Sequence, residues 1–189
     1  MMVNTYVGSQ ADVKNIVKVA NELSEQKNYE GALEKFNEAL DYLPSYSPAL
    51  KGKANLLILM NEHKDAEKLI VKAIEKNSDY APYYLTRGKI YVLREKFEDA
   101  IDDLNRALDL GKGEYGNEFS SKVLVNRGAA HQKLFNYDAA LNDYSEAIML
   151  NPKNSEVYLY RGFLYYQREE YDIALKDFHN TIDLDPDNP

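Results

Sequence analysis

Three histidines, His63, His131 and His179, are the side chains of this sequence whose ordinary pKa suits proton transfer near neutral pH. Their positions do not combine into a site. His131 stands where Tyr91 and Tyr165 stand in comparable stretches of the chain, which indicates a packing position or a surface edge. His63 falls at a turn, and His179 falls on an outer helical face. The histidines therefore predict no acid–base catalysis.

Other patterns that could carry chemistry are missing or solvated. The chain has no cysteine, which excludes disulfides, thiolate metal sites and cysteine nucleophiles. Asp102 and Asp103, like Glu169 and Glu170, are sequence neighbours that point about 100° apart on a helix, so we expect solvated faces. The run GKGEYG spaces its glycines wrongly for either common phosphate loop. We expect no catalytic residue, no cofactor, no metal and no enzyme activity.

Charge and hydropathy limit the class of partner. The 31 acidic and 23 basic residues give a formal net charge of -8, which disfavours general affinity for nucleic acid or anionic membranes. No stretch approaches the roughly 20 apolar residues that span a bilayer, and the start of the chain lacks a signal-peptide pattern. We therefore predict no nucleic-acid partner, no membrane partner and a cytoplasmic location.

A repeat organises the elements that must position any functional side chain. Small residues recur with spacings of 34, 34, 40 and 34, at Ala20, Ala54, Gly88, Gly128 and Gly162. Twelve residues after each comes a second small residue: Ala32, Ala66, Ala100, Ala140 and Ala174. Large apolar residues follow at Phe36, Ile70, Leu104, Tyr144 and Phe178. A fixed period of this length is typical of stacked structural repeats.

The spacing within each unit indicates two helices. Ala32, Phe36 and Ala39 stand at i, i+4 and i+7, which places them on one helical face. Small residues on such a face let two helices approach closely. A ring precedes each second helix, at Tyr29, His63, Phe97, Tyr137 and Tyr171. Proline closes three units, at Pro44, Pro152 and Pro186, because it lacks the amide donor that would continue a helix.

These positions resemble the tetratricopeptide repeat family, whose unit of about 34 residues carries small, aromatic and proline positions at the same offsets. The resemblance covers a single array, residues 13–188, after a lead-in of residues 1–12. The repeats are 13–46, 47–80, 81–114, 121–154 and 155–188, with an insertion at 115–120. It implies an all-α fold, a right-handed α-solenoid of antiparallel helix pairs.

The chain departs from the family pattern in three ways. No tryptophan opens any unit, and Ser78 and Lys112 replace the closing proline. The run GKGEYG lies at the insertion, where we expect a longer exposed loop and a next helix that begins near Asn117.

The resemblance also implies where a ligand binds, because the first helices of such arrays line a concave groove. The groove residues mapped onto this chain are Lys14, Asn21, Lys51, Asn55, Ile58, Leu85, Lys89, Val92, Lys122, Asn126, Leu159, Phe163 and Tyr166. The full mapping, which also includes Val17, Lys18, Thr86 and Lys133, has six lysines against two glutamates. We therefore predict a locally positive groove on an acidic chain.

Lysines attract carboxylates, and asparagine amides pair with peptide backbone. We predict a protein or peptide ligand that is acidic and carries apolar residues. The open alternative is that the lysines only keep the surface soluble.

Chaperone-binding members of the family hold two carboxylates with five side chains from three repeats. Lys51 and Asn55 match the first element of that clamp. Thr86 stands where the family has asparagine, and Asn126 stands where an arginine should follow Lys122. Three of the five positions match, so the sequence does not favour capture of a chaperone tail.

The function predicted from the sequence is protein–protein recognition, as an adaptor, scaffold or co-chaperone. Two alternatives stay open. In the last repeat, apolar side chains from Tyr171 to Ile182 would lie partly open, so the chain is a fragment of a longer protein or forms a homo-oligomer through its C-terminal end. The repeats could also be the docking segment of a larger multidomain protein or enzyme.

Overall fold

The computed structural model describes residues 10–186, which form ten α-helices and no β-strand. In chain order they are α1 (Gln10–Glu25), α2 (Tyr29–Tyr42), α3 (Ser47–Leu59), α4 (His63–Lys76), α5 (Ala81–Leu93), α6 (Phe97–Gly111), α7 (Gly116–Lys133), α8 (Tyr137–Leu150), α9 (Ser155–Gln167) and α10 (Tyr171–Leu184). The predicted all-α fold is confirmed. Most of the predicted lead-in and the last two residues of the fifth repeat, 187–188, lie outside the described residues.

The chain divides into two compact units. The first comprises the described residues up to Ile90, and the second comprises those from Tyr91 onward. The boundary falls inside α5. The single array over residues 13–188 stays a prediction.

In the first unit, α1, α2 and α3 enclose a core of valine, alanine and one aromatic ring. Val13 and Ala20 of α1 are buried against Phe36 and Ala39 of α2. A Cβ atom at Gly52 of α3 would overlap the Phe36 ring, so glycine is what lets α3 approach α2 here. Burial of a phenylalanine side chain contributes about 1.5 to 3 kcal/mol to folding.

In the second unit, two glycines of the predicted pattern are sites of close helix approach. A Cβ at Gly128 of α7 would lie 2.7 Å from Cε1 of Tyr144 on α8. Gly162 of α9 stands in the same relation to Phe178 of α10, at 2.8 Å. The small-residue positions predicted from the sequence are confirmed at both glycines.

The helices of each pair are joined by a turn with a left-handed residue. Among the described residues, five that are not glycine have φ between 57° and 63°, each two positions before a second helix: Lys27, Asn61, Glu95, Phe135 and Glu169. The amide of the next residue donates to a carbonyl five positions back, as Asn136 does to His131 at 2.9 Å. Residues other than glycine rarely adopt this backbone conformation. Because these turns contain no glycine at that position, the sequence did not predict it.

The insertion forms a short connection and a longer helix. Residues 112–115 join α6 to α7, and residues 116–120 belong to α7, which has 18 residues. Gly113 and Gly116 have φ of 79° and 68°, which glycine adopts without strain. The predicted helix extension is confirmed, whereas the expected long exposed loop is wrong, because most of the extra residues continue the helix.

Candidate functional site

A surface depression of about 480 Å³ lies between α1 and the start of α3 in the first unit. Two of the predicted groove residues, Lys14 and Asn21, line it. The complete lining is Ala11, Lys14, Asn15, Val17, Lys18, Asn21, Tyr46 and Pro48. The structure therefore brings together side chains from the first two predicted repeats.

Helical spacing places the polar side chains of α1 in this depression. Lys14, Lys18 and Asn21 share a face because residues at i, i+4 and i+7 lie above one another. Val13 and Ala20 are buried and hold α1 in the core. Pro48 stands in the first turn of α3, where a missing amide breaks no hydrogen bond within the helix.

The lining of the depression carries positive charge and no carboxylate. Lys18 pairs with Glu22 at 3.6 Å, but both side chains are exposed. Such surface pairs contribute about 0.2 to 1 kcal/mol, so this one opens readily. Asn15 and Asn21 add amides that can donate to and accept from peptide backbone. The depression can therefore hold a carboxylate next to an extended chain.

The other predicted residues of the first unit differ in exposure. Lys51, Asn55 and Ile58 of α3 are half-buried, as is Lys89 of α5. Leu85 is 8% exposed, so it packs within the unit and offers little surface to a ligand.

Thr86 does not replace the clamp asparagine. Its side chain is buried, and its hydroxyl donates to the carbonyl of Pro82 at 2.9 Å. Its mapping to an open groove surface is wrong, because neighbouring side chains cover it and its own helix takes the hydroxyl. The sequence could not show this, since threonine is common on both buried and exposed faces.

Two predicted polar residues of the second unit are engaged within their own helix. Lys122 Nζ lies 2.6 Å from Glu118 Oε1, and this hydrogen bond lowers the pKa of Glu118. The Asn126 amide donates to the Lys122 carbonyl at 2.7 Å. Val92, at the end of α5, is half-buried. A ligand would have to displace the Lys122 and Asn126 contacts, which is a further argument against the two-carboxylate clamp.

The predicted apolar residues of α9 form an exposed aromatic row. Phe163 and Tyr166 are exposed, and Leu159 beside them is half-buried. The Phe163 ring centroid lies 5.4 Å from that of Phe178, and the Tyr166 centroid lies 5.5 Å from that of Tyr171. These edge-on contacts with α10 fix the rings while leaving one side open to solvent.

Two buried ion pairs were missed at the sequence level. Arg127 reaches both Asp143 oxygens at 2.9 and 2.6 Å, and Arg161 reaches both Asp177 oxygens at 2.8 Å. These hydrogen bonds raise the pKa of each arginine. The sequence signal for these pairs was an arginine directly before the glycine of the repeat pattern, followed by an aspartate 16 residues after that arginine.

The same spacing separates Arg87 from Asp103, which is buried. The expectation that Asp103 lies on a solvated face is therefore wrong, whereas its neighbour Asp102 is exposed. At the same position, Asp143 and Asp177 each join the two helices of a pair through an ion pair.

His131 is half-buried on α7, as expected for a packing position. Its Nδ1 has no hydrogen-bond partner among the described residues. Burial lowers the pKa of His131, and Arg127 lowers it further, while Asp143 raises it. The neutral imidazole is therefore favoured in the folded chain.

Between residues 10 and 186, no group of three or more histidine, cysteine, aspartate or glutamate side chains is arranged as metal ligands. In the same range no helix is both long and apolar enough to cross a bilayer.

Family models described as tetratricopeptide repeats match four segments of the chain. The matched residues are 23–90, 81–110, 121–154 and 155–188.

Curated proteins match over part of their length. The bovine SGT1 homolog is 34% identical over 82 residues, which are 43% of this chain and 22% of that protein. Human serine/threonine-protein phosphatase 5 is 31% identical over 103 residues, 54% of this chain and 19% of that protein. The chain thus spans about a fifth of these relatives.

Solved structures share the fold. TTC0263, a thermophilic TPR protein of Thermus thermophilus, has a TM-score of 0.79 at 20% identity and covers 93% of both chains. YrrB, described as a TPR protein with an unusual peptide-binding site, has a TM-score of 0.62 at 22% identity. That match covers 92% of this chain and 86% of YrrB.

Proposed function

Because the chain belongs to the tetratricopeptide repeat family, we propose that it binds an extended segment of a partner protein on the first helices of its repeats. The family supports the coarser function of a protein-interaction module, since stacked helix pairs present side chains to partners without catalytic groups. Among structures with this fold, YrrB is described as having a peptide-binding site.

The depression between α1 and α3 is the observation that supports the proposal most directly. Lys14 and Lys18 bring two ammonium groups to its lining, which holds no carboxylate, although the whole chain has a net charge of -8. Tyr46 and Pro48, which are half-buried, supply apolar surface beside them. A ligand with carboxylates and an apolar side chain complements both parts of this lining.

The spacing of the lysines favours acidic residues at alternate positions of the ligand. Lys14 and Lys18 are four residues apart, which is about 6 Å along a helix axis. In an extended peptide, side chains on one side recur about every 6.6 Å. Two carboxylates at positions i and i+2 of a bound strand can therefore each face one lysine.

A fluorescence-anisotropy titration tests this site. The probe is a fluorescein-labelled, C-terminally amidated peptide, Ser-Asp-Leu-Asp-Leu-Asp-Ser, compared with its isomer Ser-Asp-Asp-Leu-Leu-Asp-Ser, in which no two aspartates stand two positions apart. We expect the alternating peptide to bind more tightly and the double variant Lys14→Glu, Lys18→Glu to weaken its binding about tenfold.

The matched control is the double variant Lys64→Glu, Lys76→Glu, which changes the same charge on exposed positions of α4 outside the depression. An equal loss of affinity in this control would show that net charge alone attracts the peptide and would contradict the proposed site.

A second candidate function, self-association, is supported by α10. Tyr171, Leu175 and Ile182 are 52%, 54% and 57% exposed, and they share one helical face with Phe178. An open apolar stripe of this kind suits a helix of a second copy.

Two further predictions carry over as proposals. Because the matched relatives are several times longer than the chain, the repeats could act as the docking segment of a larger protein. A cytoplasmic location also remains a prediction.

A further inference from the structure

A second depression, of about 380 Å³, lies between α2 and α4 above α3 in the first unit. No residue of α1 lines it, so it is separate from the depression proposed as the peptide site. Its volume falls in the range of about 300 to 1,000 Å³ that is common for ligand sites.

Its floor and walls are leucine. Leu57 of α3 is almost fully buried at the floor, while Leu33 of α2 and Leu69 of α4 are half-buried at the sides. A large apolar side chain placed over these three leucines would lose its contact with water and gain contact with carbon on three sides.

Its rim is basic. Lys53 from α3 and both Lys68 and Lys72 from α4 line the depression, against a single carboxylate, Asp65. Three lysines and one aspartate give the lining a formal charge of +2, opposite in sign to the chain as a whole.

The three ammonium groups remain able to bind a ligand. Lys53 Nζ donates to the Asn37 side-chain oxygen at 2.7 Å, which fixes its position and leaves two donors. Lys68 pairs with Asp65 at 3.0 Å, with side chains 73% and 62% exposed, so this pair is weak and easily exchanged. In the part of the chain that the structure describes, Lys72 has no carboxylate partner.

We infer that this depression is a second docking surface, which holds an acidic segment of a partner protein with one large apolar side chain at its centre. The apolar side chain lies over the leucines, and carboxylates on both sides of it reach Lys53 from one direction and Lys68 and Lys72 from the other. Charge complementarity favours this occupant, because the basic rim repels a cationic segment, whereas the carboxylates of an acidic segment pair with the lysines of the rim.

This surface differs in use from the proposed peptide site. It is formed mainly by second helices of the repeats, so a partner can occupy it while the surface of α1 is bound to another segment. The chain would then contact one partner at two points or two partners at once.

The test is a titration of the full chain, labelled with ¹⁵N, by the capped peptide Ac-Glu-Asp-Leu-Asp-Glu-amide. We expect amide shifts at Lys53, Leu57, Lys68 and Lys72. The double variant Lys68→Glu, Lys72→Glu should weaken binding about tenfold, because two attractive charges become repulsive. A probe with serine in place of the central leucine should also bind about tenfold more weakly, because the apolar contact is lost.

The variant Lys64→Glu, Lys76→Glu is the matched control, since it makes the same charge change on the same helix outside the depression. An affinity loss of less than twofold in this control supports the inference, and a loss equal to that of Lys68→Glu, Lys72→Glu overturns it.

The site on α1 is tested separately by the same titration. Shifts confined to residues such as Lys14 and Asn21 overturn the second surface and leave the proposed function standing. Shifts around Leu57 that persist in the Lys14→Glu, Lys18→Glu variant support the second surface whether or not the first site binds.

Discussion

At the scale of single residues, ion pairs join the helices of the second unit. The Asp143 side chain is 6% exposed and its partner Arg127 is 21% exposed. Arg127 also donates to the side chain of Asn105 on α6 at 2.7 Å, so one guanidinium on α7 contacts both α6 and α8. Loss of either charge leaves the other without its counter-charge in a poorly solvated place.

We predict that Asp143→Asn lowers the free energy of unfolding by about 2 to 3 kcal/mol, because a neutral amide leaves the arginine charge uncompensated. Urea denaturation followed by circular dichroism measures the loss. Asp102→Asn is the control, since Asp102 is exposed on its helix, and surface changes of this kind stay within about 0.5 kcal/mol. Equal effects of the two variants would show that the buried pair contributes nothing special.

His131 should make stability depend on pH. Burial lowers its pKa below the ordinary value of 6.5, so the unfolded chain takes up a proton first as the pH falls. The contribution of His131 to the free energy of unfolding is therefore fully present above pH 6.5 and is lost as the pH falls through the lowered pKa.

We predict that His131→Tyr, which introduces the residue found at Tyr91 and Tyr165, flattens the decline of the unfolding free energy just below pH 6.5. Denaturation curves across this pH range measure the effect. His179→Tyr, at an exposed position, should leave the decline as it is. A decline that persists unchanged in His131→Tyr would assign it to the carboxylates.

At the scale of elements, turns and close helix contacts fix each pair. Phe135 has a φ of 61° and is 77% exposed, so its bulky side chain occupies a strained turn position while burying little surface. Its ring lies 6.2 Å from that of Tyr137, which offsets part of the strain. The remaining strain is specific to the residue type, because glycine takes this conformation freely.

We predict that Phe135→Gly raises the free energy of unfolding by about 0.5 to 1 kcal/mol, since relief of the left-handed strain outweighs the greater freedom of glycine in the unfolded chain. Thermal denaturation measures this change. Glu146→Gly, at an exposed position inside α8, should instead lose about 1 kcal/mol. Destabilisation by both variants would mean that the exposed ring supports the turn.

The contact between Gly128 and Tyr144 gives a second prediction for the element. Gly128→Ala should cost about 1 to 3 kcal/mol, because the added carbon meets the tyrosine ring at 2.7 Å. Adding Tyr144→Leu should recover part of this loss, because a smaller side chain leaves room for the added carbon. Ala54 and Ile70, which are separated by the same 16 residues, show that alanine and an aliphatic side chain can occupy these two positions when both are fully buried. The unfolding free energies of the single and double variants complete the cycle. Additive losses would contradict a direct clash.

At the scale of the whole molecule, the two proposed binding surfaces differ in charge from the chain as a whole. The net charge of -8 disfavours general affinity for polyanions, while lysines gather at two depressions of the first unit. The second unit instead offers aromatic and aliphatic side chains on α9 and α10.

Self-association is predicted to depend on the apolar stripe of α10. Sedimentation at increasing concentration should show dimers, and Leu175→Lys with Ile182→Lys should abolish them, because two charges would enter the interface. Lys176→Glu, beside the stripe, is the control for altered charge. A monomer at all concentrations would contradict self-association through this stripe.

The repeat period predicted the helix pairs because each repeat must bury small and large side chains at the same positions in order to pack. Glycine at positions 128 and 162 and the buried rings of Phe36 and Tyr144 follow directly from the pattern of small and large residues. The extension of α7 was also predicted, because the glycine-rich run ends at Gly116 and polar residues that suit a helix follow it.

Side-chain burial at the predicted site was decided only in three dimensions. A helical position defines a face, but whether Leu85 or Thr86 is covered depends on the neighbouring helices that pack over it. The partner of Arg127 lies 16 residues away, and the leucine-floored depression joins side chains of three helices. The sequence determined the elements because their patterns are local, whereas distances between side chains of different helices exist only after packing.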